Sequence, residues 1–268
     1  PEQVRFHQGD TDIAATGGGT MGSRSLLVGG GATDQAADQV IERAKKIAGH
    51  TMEVSPDDLE FEAGTFTIAG TDRQTTLAEV ARAAVERDDL PADLKGPLEE
   101  TGHYDSPDQE TFPNGVHVCE IEIDRDTAEL EITRYVVVDD FGMVLNPMLV
   151  SGQIHGGVGQ GIGQALLEHT VYEADSGQLV TATYQDYTMP RADDLPNIDI
   201  EFINVPCKTN PFGIKGAGEA GAIGAPPAVI NALVDALEPY GILHVDMPAT
   251  TERIWQVMQA NAPKAAAE

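Results

Sequence analysis

The chain has 268 residues, 41% hydrophobic and 5% aromatic, with 16 Lys and Arg against 44 Asp and Glu, a formal net charge of −28. This length suits one large domain or two small ones with a real core. The charge excludes nucleic acid as an expected partner, because neutralising phosphate requires basic side chains. No apolar run approaches the roughly 18 residues of a membrane span, and no signal peptide is visible, so we expect a cytoplasmic protein.

The acidic residues are spread along the whole chain, and only six residues are Lys. Such self-repulsion lowers stability at low salt and is tolerable when salt screens it. We interpret it as halophilic adaptation; the alternative is an ordinary acidic protein. The two cysteines, Cys119 and Cys207, form neither a CxxC site nor a disulfide framework. The seven His form no HExxH pair or Cys/His cluster, so we expect no metal held directly by side chains.

Hydrophobic periodicity and turn residues predict two helices and a hairpin in the first half of the chain. The clearest signal is the capping box Thr76-x-x-Glu79, which begins the second helix. Residues 88–114 are rich in Asp, Pro and Gly and indicate a long loop. The predicted elements are a helix from its N-cap Thr33 to Gly49, strands at Leu59–Glu62 and Thr65–Ile68, and a helix through Val80, Ala84 and Val85.

In the second half, helices and antiparallel hairpins alternate irregularly, which predicts an α+β fold with mixed and antiparallel sheets and packed helices. Leu145–His169 is predicted to be helical although it holds six glycines. Each Gly costs a helix about 1 kcal/mol relative to Ala, so we expect a bare face against a neighbour or a ligand. The predicted strands are Val116–Asp124, Leu130–Val138, Tyr184–Met189, Ile198–Val205 and Ile242–Asp246. The predicted helices are Leu145–His169, one that has Pro226-Pro227 in its first turn, and Thr250–Ala260. The tail Pro263–Glu268 is predicted to be frayed.

The most informative segment runs from Asn210 to Pro227 and holds one carboxylate, Glu219, among Gly and Ala residues. In such small, apolar surroundings a Glu is expected to be poorly solvated, which disfavours its ionised form. An enzyme obtains a base that works near neutral pH in this way. The alternative is a Gly-rich loop with an exposed Glu that caps the following helix.

Two further patterns suit a ligand. Gln160 and Gln164 are one helical turn apart, so they share a face that could bind a heterocycle, although surface Gln is the alternative. Ser23-Arg24-Ser25 follows a triple glycine and offers hydroxyls, backbone N–H groups and a guanidinium to a phosphate or pyrophosphate. The glycines at 157, 159, 161 and 163 match a loose dinucleotide pattern, but no strand directly precedes them, which argues against a Rossmann site.

Four segments occur here in a fixed order: Gly17–Ser25, Gly156–Leu166, Asp186–Pro196 and Lys215–Gly221. Together they resemble the C-terminal part of the molybdenum-binding large subunit of the xanthine oxidase family, over essentially the whole chain. The run from Val138 to Pro147 and the Asp186 segment are most similar to the aerobic carbon monoxide dehydrogenase branch. The resemblance implies that 1–268 is the C-terminal molybdopterin-binding region of a longer large subunit, with a possible subdivision into 1–114 and 115–268.

The resemblance implies a molybdenum ion held by a pterin dithiolene with no protein ligand, the pterin being in its cytosine dinucleotide form. It implies an oxidoreductase that adds a water-derived oxygen to an electrophilic carbon, of the carbon monoxide or aldehyde type, with Glu219 as catalytic base. Electrons would leave through FeS clusters and FAD on partner subunits, an iron–sulfur subunit and a FAD subunit. The implied cofactor contacts are Gln160, Gly159, Gly161, Gly22, Ser23, Arg24, Ser25, Lys215, Gly216 and Gly218.

The chain departs from the family in its extent. It corresponds to roughly the last third of the large subunit, without the earlier Gly-Gln-Gly loop and the active-site loop, so we expect activity only together with the remainder of that subunit and a small-molecule substrate. Neither Cys119 nor Cys207 matches the context of the copper-binding Cys of carbon monoxide dehydrogenases. The alternatives are a xanthine- or nicotinate-type hydroxylase, or a non-catalytic truncated remnant that only folds and binds cofactor.

The net charge of −28 leads to a first prediction. Raising KCl from about 0.1 M to about 3 M shortens the Debye length from about 10 Å to below about 3 Å and screens the repulsion. We expect the midpoint of thermal unfolding to rise over this range. An unchanged or falling midpoint would rule out halophilic adaptation.

Overall fold

The computed structural model describes residues 4–13, 17–105 and 110–261, and its backbone contacts divide the chain into two units. One unit comprises residues 25–107, and the other comprises 1–24 together with 108–268. The predicted subdivision instead kept 1–114 together. The predicted tail Pro263–Glu268 lies outside the described residues. None of the helices in the described ranges is both long and apolar enough to cross a membrane.

The unit of residues 25–107 begins with one long helix. A π-helical turn, Leu26–Gly30, continues directly into α1, Gly31–Met52. Thr33 is therefore not an N-cap as predicted: its hydroxyl donates to the Gly29 carbonyl one turn back, at 2.8 Å. Gly49 does not end the helix either, and its lack of a side chain instead lets the returning chain approach, since a Cβ there would lie 2.9 Å from the Val54 carbonyl oxygen.

A small antiparallel sheet packs with α1 in this unit. It has the order β1 (Leu59–Glu62), β2 (Thr65–Ile68) and β3 (Gln74–Thr76), which confirms the hairpin and adds a third strand that was not predicted. Helix α2, Leu77–Glu86, starts at the capping box, which is confirmed with both reciprocal hydrogen bonds. The core of the unit consists of Ala44, Ile47, Ala48, Leu59, Phe66, Ile68, Val80, Ala84, Leu90 and Leu94.

The second unit is built on a mixed sheet. Strands β4 (Asn114–Ile123) and β5 (Leu130–Asp140) are antiparallel, and β6 (Ile198–Phe202) pairs with β5 in parallel. The α+β class with mixed and antiparallel sheets is thus confirmed. The strand predicted around Tyr184–Met189 is wrong, because the N–H groups of Asp186 and Tyr187 both turn back to the Thr183 carbonyl.

The helices of this unit are α3 (Pro147–Ile162), which ends in a π-helical turn, α4 (Ala220–Ala236) and α5 (Thr251–Ala260). The start of α4 was predicted wrongly, because the helix begins at Ala220 and Pro226 and Pro227 lie inside it. The predicted strand Ile242–Asp246 is wrong too: these residues have no regular secondary structure, although Ile242 and Val245 are buried in a core shared by α4, α5 and the turn between β4 and β5.

The glycines of α3 allow its backbone to touch that of α4. A Cβ at Gly157 would lie 2.8 Å from the Ala222 nitrogen, and one at Gly161 would lie 2.6 Å from the Ala225 Cβ. On the α4 side, a Cβ at Gly221 would lie 2.7 Å from the Ile154 carbonyl oxygen. The bare face that the sequence predicts on this helix therefore meets a neighbouring helix.

This packing predicts that substitutions at two neighbouring glycines of α3 have different effects on stability. Gly157→Ala inserts a methyl group against the backbone of α4, so we expect a loss of about 1–3 kcal/mol in the free energy of unfolding. Gly156 is the matched control, because a Cβ there meets nothing within 4 Å. Gly156→Ala is expected to raise the free energy of unfolding by up to about 1 kcal/mol, because Ala favours a helix more than Gly does. Urea titrations followed through Trp255, the single Trp of the chain, report on this unit; equal effects of both substitutions would contradict the packing.

Candidate functional site

The segment from Asn210 to Glu219 is fastened to the end of β5 by its own side chains and backbone. The Asn210 side-chain amide forms two hydrogen bonds with the backbone of Ile214: its Oδ1 accepts from the Ile214 N–H at 3.1 Å, and its Nδ2 donates to the Ile214 carbonyl at 3.0 Å. Ile214 forms a bridge with Gly142, and the Lys215 N–H donates to the Phe141 carbonyl at 2.8 Å. The Gly-rich segment is therefore held in one conformation before it reaches Glu219.

A buried ion pair completes this attachment. Lys215 Nζ donates to Asp140 Oδ2 at 2.5 Å, while Asp140 Oδ1 accepts from the N–H groups of Gly142 and Val205 at 2.9 and 3.1 Å. Burial alone would raise the pKa of Asp140, but the hydrogen bonds from Lys215, Gly142 and Val205 outweigh it and hold this pKa below its usual value. The ammonium group of Lys215, predicted to contact cofactor, is thus engaged by Asp140.

Ser23 lies against the start of α4. Its hydroxyl donates to Glu219 Oε2 at 2.8 Å, and its own φ of 53° is left-handed. A Cβ at Gly216 would lie 2.7 Å from the Ser23 Cβ, so the approach of the two chains requires glycine there. The Thr111 hydroxyl accepts from the Gly216 N–H at 2.9 Å on the same segment. Ser23, Gly216 and Glu219, all predicted site residues, are therefore brought together.

Glu219 is the residue before α4 and is exposed. The expectation that its Gly and Ala neighbours would shield it from water is wrong for this chain. Glycine and alanine contribute no side chains long enough to cover a carboxylate, and the described residues place no other wall over it. The carboxylate is oriented by Ser23 and remains accessible.

A second glutamine of α3, Gln153, reaches this place and was not predicted. A Cβ at Gly218 would lie 3.3 Å from Ser23 Oγ and 3.8 Å from Gln153 Oε1. Gln160 follows Gln153 by two helical turns, about 10.5 Å along the same face, and both are exposed. The signal was available, since Gln153 and Gln160 share the heptad spacing of one helix face.

The other predicted cofactor contacts are distributed differently. Gly161 packs against α4, whereas a Cβ at Gly159 would only touch the Leu195 side chain at 3.4 Å. Gly22 adjoins Ser23 with a left-handed φ of 60°. Arg24 is half-buried, and Ser25 is the first residue of the other unit.

A cavity of about 410 Å³ opens beside Glu219 within this unit. Its rim is exposed and partly apolar, with Phe112 at 75% and Ile223 at 72% exposure. Its floor is buried, with Phe141 at 2% and Asp139 at 3% exposure. The described ranges contain no group of three or more His, Cys, Asp and Glu side chains arranged to hold a metal ion.

The polar floor of the cavity is a cluster that the sequence did not reveal. His117 lies between two residues of β5: its Nδ1 is 2.9 Å from the Tyr135 hydroxyl, and its Nε2 is 3.7 Å from Asp139 Oδ1. Burial raises the pKa of Tyr135 above its usual value, so this hydroxyl keeps its proton. The ring fits because Gly224 of α4 has no side chain; a Cβ there would lie 2.6 Å from it.

Comparisons with known proteins identify the family of this chain. Residues 1–196 match the family model described as molybdopterin cofactor-binding domain. The chain belongs to this family. The molybdopterin-binding chain is 37% identical over 96% of its length to the carbon monoxide dehydrogenase large chain of Hydrogenophaga pseudoflava. It is 39% identical over 97% to the gamma subunit of the 6-hydroxypseudooxynicotine dehydrogenase complex of Paenarthrobacter nicotinovorans. It spans 32% of each of these relatives.

Solved structures support the same assignment. The chain superposes on carbon monoxide dehydrogenase from Oligotropha carboxidovorans with a TM-score of 0.82 and 33% identity, over 94% of this chain and 31% of that one. It superposes on quinoline 2-oxidoreductase from Pseudomonas putida 86 with a TM-score of 0.79 and 40% identity, over 90% and 31% of the respective chains. The fold is therefore that of a molybdopterin-binding domain, and the chain spans about a third of these proteins.

The ion pair between Lys215 and Asp140 gives a prediction about the stability of the fold. Lys215→Met leaves the buried Asp140 carboxylate without its cation, so we expect the free energy of unfolding near neutral pH to fall by about 3 kcal/mol or more. The matched control is Lys208→Met at an exposed lysine, with an effect within about 0.5 kcal/mol.

The pH dependence of that difference follows from the lowered pKa of Asp140. A depressed carboxyl pKa contributes stability that is present above its unfolded value, about 3.9, and is lost as the pH falls through the folded value. The gap between wild type and Lys215→Met should therefore narrow below about pH 4 in urea titrations. A gap that is constant with pH would contradict the role assigned to the pair.

Proposed function

We propose that this chain is the molybdopterin-binding part of a molybdenum hydroxylase and that Glu219 is its catalytic base. The observation that carries this proposal is the Glu219 carboxylate itself. It stands at the start of α4 on the rim of a cavity, oriented by the Ser23 hydroxyl at 2.8 Å. A base must lie in hydrogen-bond reach of the proton it takes, and an accessible, oriented carboxylate meets that need.

The residues around Glu219 fit a pterin cofactor. The absence of side chains at Gly216 and Gly218 lets Ser23 and Gln153 approach this segment, and the exposed amide of Gln153 stands beside it with donors and an acceptor for a heterocycle. Ser23 and Gln160 would add contacts on either side. When bound, the molybdenum cofactor supplies the two-electron redox and oxygen-transfer chemistry of the hydroxylation.

This chain's own contribution to the reaction is a proton acceptor and its support. Glu219 takes a proton from the oxygen that is transferred to an electrophilic carbon, and Ser23 keeps the carboxylate turned toward the cavity. The buried pair of Lys215 and Asp140 supports the segment from behind, so that the carboxylate does not move away from the reacting atoms. A positioned base of this kind contributes about 10²–10⁴-fold to the rate.

The finer assignments belong to the same proposal. We place the substrate in the carbon monoxide or aldehyde class and the pterin in its cytosine dinucleotide form. The partners are the remainder of the large subunit, an iron–sulfur subunit and a FAD subunit, in a cytoplasmic, halophilic protein. The similarity to the carbon monoxide dehydrogenase large chain supports this branch. The similarity to a quinoline oxidoreductase equally supports the hydroxylase of a nitrogen heterocycle, and a non-catalytic remnant is the remaining alternative.

The test of this function is Glu219→Gln in the assembled enzyme. Gln has nearly the same shape but cannot accept the proton, so we expect kcat to fall at least about 100-fold while the molybdenum content is unchanged. Metal analysis and steady-state kinetics on the same preparation provide both measurements. The matched control is Glu238→Gln, an exposed carboxylate just beyond the other end of α4, which should leave both values unchanged.

Each outcome of this experiment has a distinct meaning. Loss of molybdenum together with activity would give Glu219 a structural role in holding the cofactor. Full molybdenum with near-normal kcat would remove Glu219 as the base and, with it, the proposed mechanism. A wild-type assembly that binds molybdopterin but turns over neither carbon monoxide, aldehydes nor nitrogen heterocycles would favour the remnant.

A further inference from the structure

The cavity beside Glu219 is lined by acidic residues, without basic ones among the residues that the structure describes. Three carboxylates line it, those of Glu110, Asp139 and Glu219, and among the described lining residues there is no Lys or Arg. The remaining walls include Phe112, Phe141 and other apolar groups. An apolar cavity of a few hundred Å³ with a few polar groups is the usual form of a small-molecule site. Its electrostatics disfavour an anion and favour a cation.

Asp139 supplies the specific observation. Its side chain is only 4% exposed, and its Oδ2 is buried without a hydrogen-bond partner among the described residues. His117 does not satisfy it, because the imidazole Nε2 lies 3.7 Å from the other oxygen, Oδ1. A buried carboxylate oxygen without a donor is costly, and native proteins rarely keep one without a purpose.

The neighbours of Asp139 keep this oxygen in place. A Cβ at Gly115 would lie 1.7 Å from Asp139 Oδ1, so the carboxylate occupies the space that a side chain on β4 would fill. His117 is fixed in turn by the Tyr135 hydroxyl and by its edge-to-face contact with the Tyr135 ring. Asp139 therefore lies in close-packed surroundings at the floor of the cavity, and its Oδ2 has no donor among the described residues.

We propose that this cavity binds an organic cation with an apolar body, a protonated amine or ring nitrogen, whose N–H is donated to Asp139. The apolar part of the ligand would lie between Phe141 and the rim residues Phe112 and Ile223. The ligand would occupy a cavity that Glu219 also lines, but its binding is measured without turnover, so the result does not depend on whether Glu219 is the catalytic base.

Three probes of one shape test this in the full chain: benzylamine, benzyl alcohol and benzoate, which differ in charge at one position. Binding is measured by titration calorimetry at one fixed salt concentration, and the ligand is located through the His117 imidazole resonances, assigned with His117→Gln. Asp139→Asn keeps the shape and removes the charge. Asp199→Asn is the matched control, because Asp199 is 61% exposed on β6 and does not line the cavity.

We expect benzylamine to bind wild type and Asp199→Asn equally, to bind Asp139→Asn about tenfold more weakly, and to shift the His117 resonances. Benzyl alcohol should bind more weakly than benzylamine, and benzoate should not bind. Unchanged affinity in Asp139→Asn would mean that benzylamine follows the diffuse charge of the protein and would overturn the proposal. Equal affinity for benzylamine and benzyl alcohol, or no effect at His117, would overturn it even if Asp139→Asn fails to fold.

Discussion

The Asp140 carboxylate is the interaction on which the rest of the site depends. It joins the end of β5 to two later stretches of the chain, through the N–H groups of Gly142 and Val205 and the ammonium group of Lys215. Backbone hydrogen bonds between the same stretches reinforce the junction. An unpaired buried carboxylate is costly, so these three partners lower the cost of burying Asp140 at the end of β5. The segment that leads from Lys215 to Glu219 starts at this junction.

The second constraint is the distance between α3 and α4. Small residues on both helices bring their backbones into contact, and this places the amide of Gln153 next to the segment that ends in Glu219. A pair of helices separated by larger side chains would move these groups apart. The glycines of α3 are therefore functional in an indirect sense: they carry no chemistry, but they set the spacing at which the chemistry can occur.

The elements that could be predicted from the sequence were those with local signals. The capping box at Thr76, the hairpin after Leu59 and the last helix from Thr250 depend on residues a few positions apart, and all three are confirmed. The start of α4 was missed because its first residues, Ala and Gly with a proline pair behind them, look like a loop until α3 packs against them. Local propensity gave no hint of that contact.

The site shows the same division. Glu219 and Ser23 could be proposed as site residues from composition and motif, and the structure brings them together. The exposure of Glu219, the attachment of Lys215 to Asp140 and the cluster around His117 depend on which residues meet across the sheet. His117, Tyr135 and Asp139 are spaced along two strands whose register the sequence does not specify, and an isolated His in a strand carries no signal of its own.

The proline pair inside α4 has a consequence for how the helix opens. Pro226 and Pro227 have no N–H group to offer, so the carbonyls of Ala222 and Ile223 lack their usual partners four residues on. Two consecutive rungs of the helical ladder are missing just behind the turn that carries Glu219. That turn is held by the bond from the Ile223 N–H to the Glu219 carbonyl and by its backbone contact with α3, while Val229 and Leu233 keep the rest of the helix in the core. A substitution that opened the contact with α3 would therefore release the turn that carries Glu219 before the rest of α4.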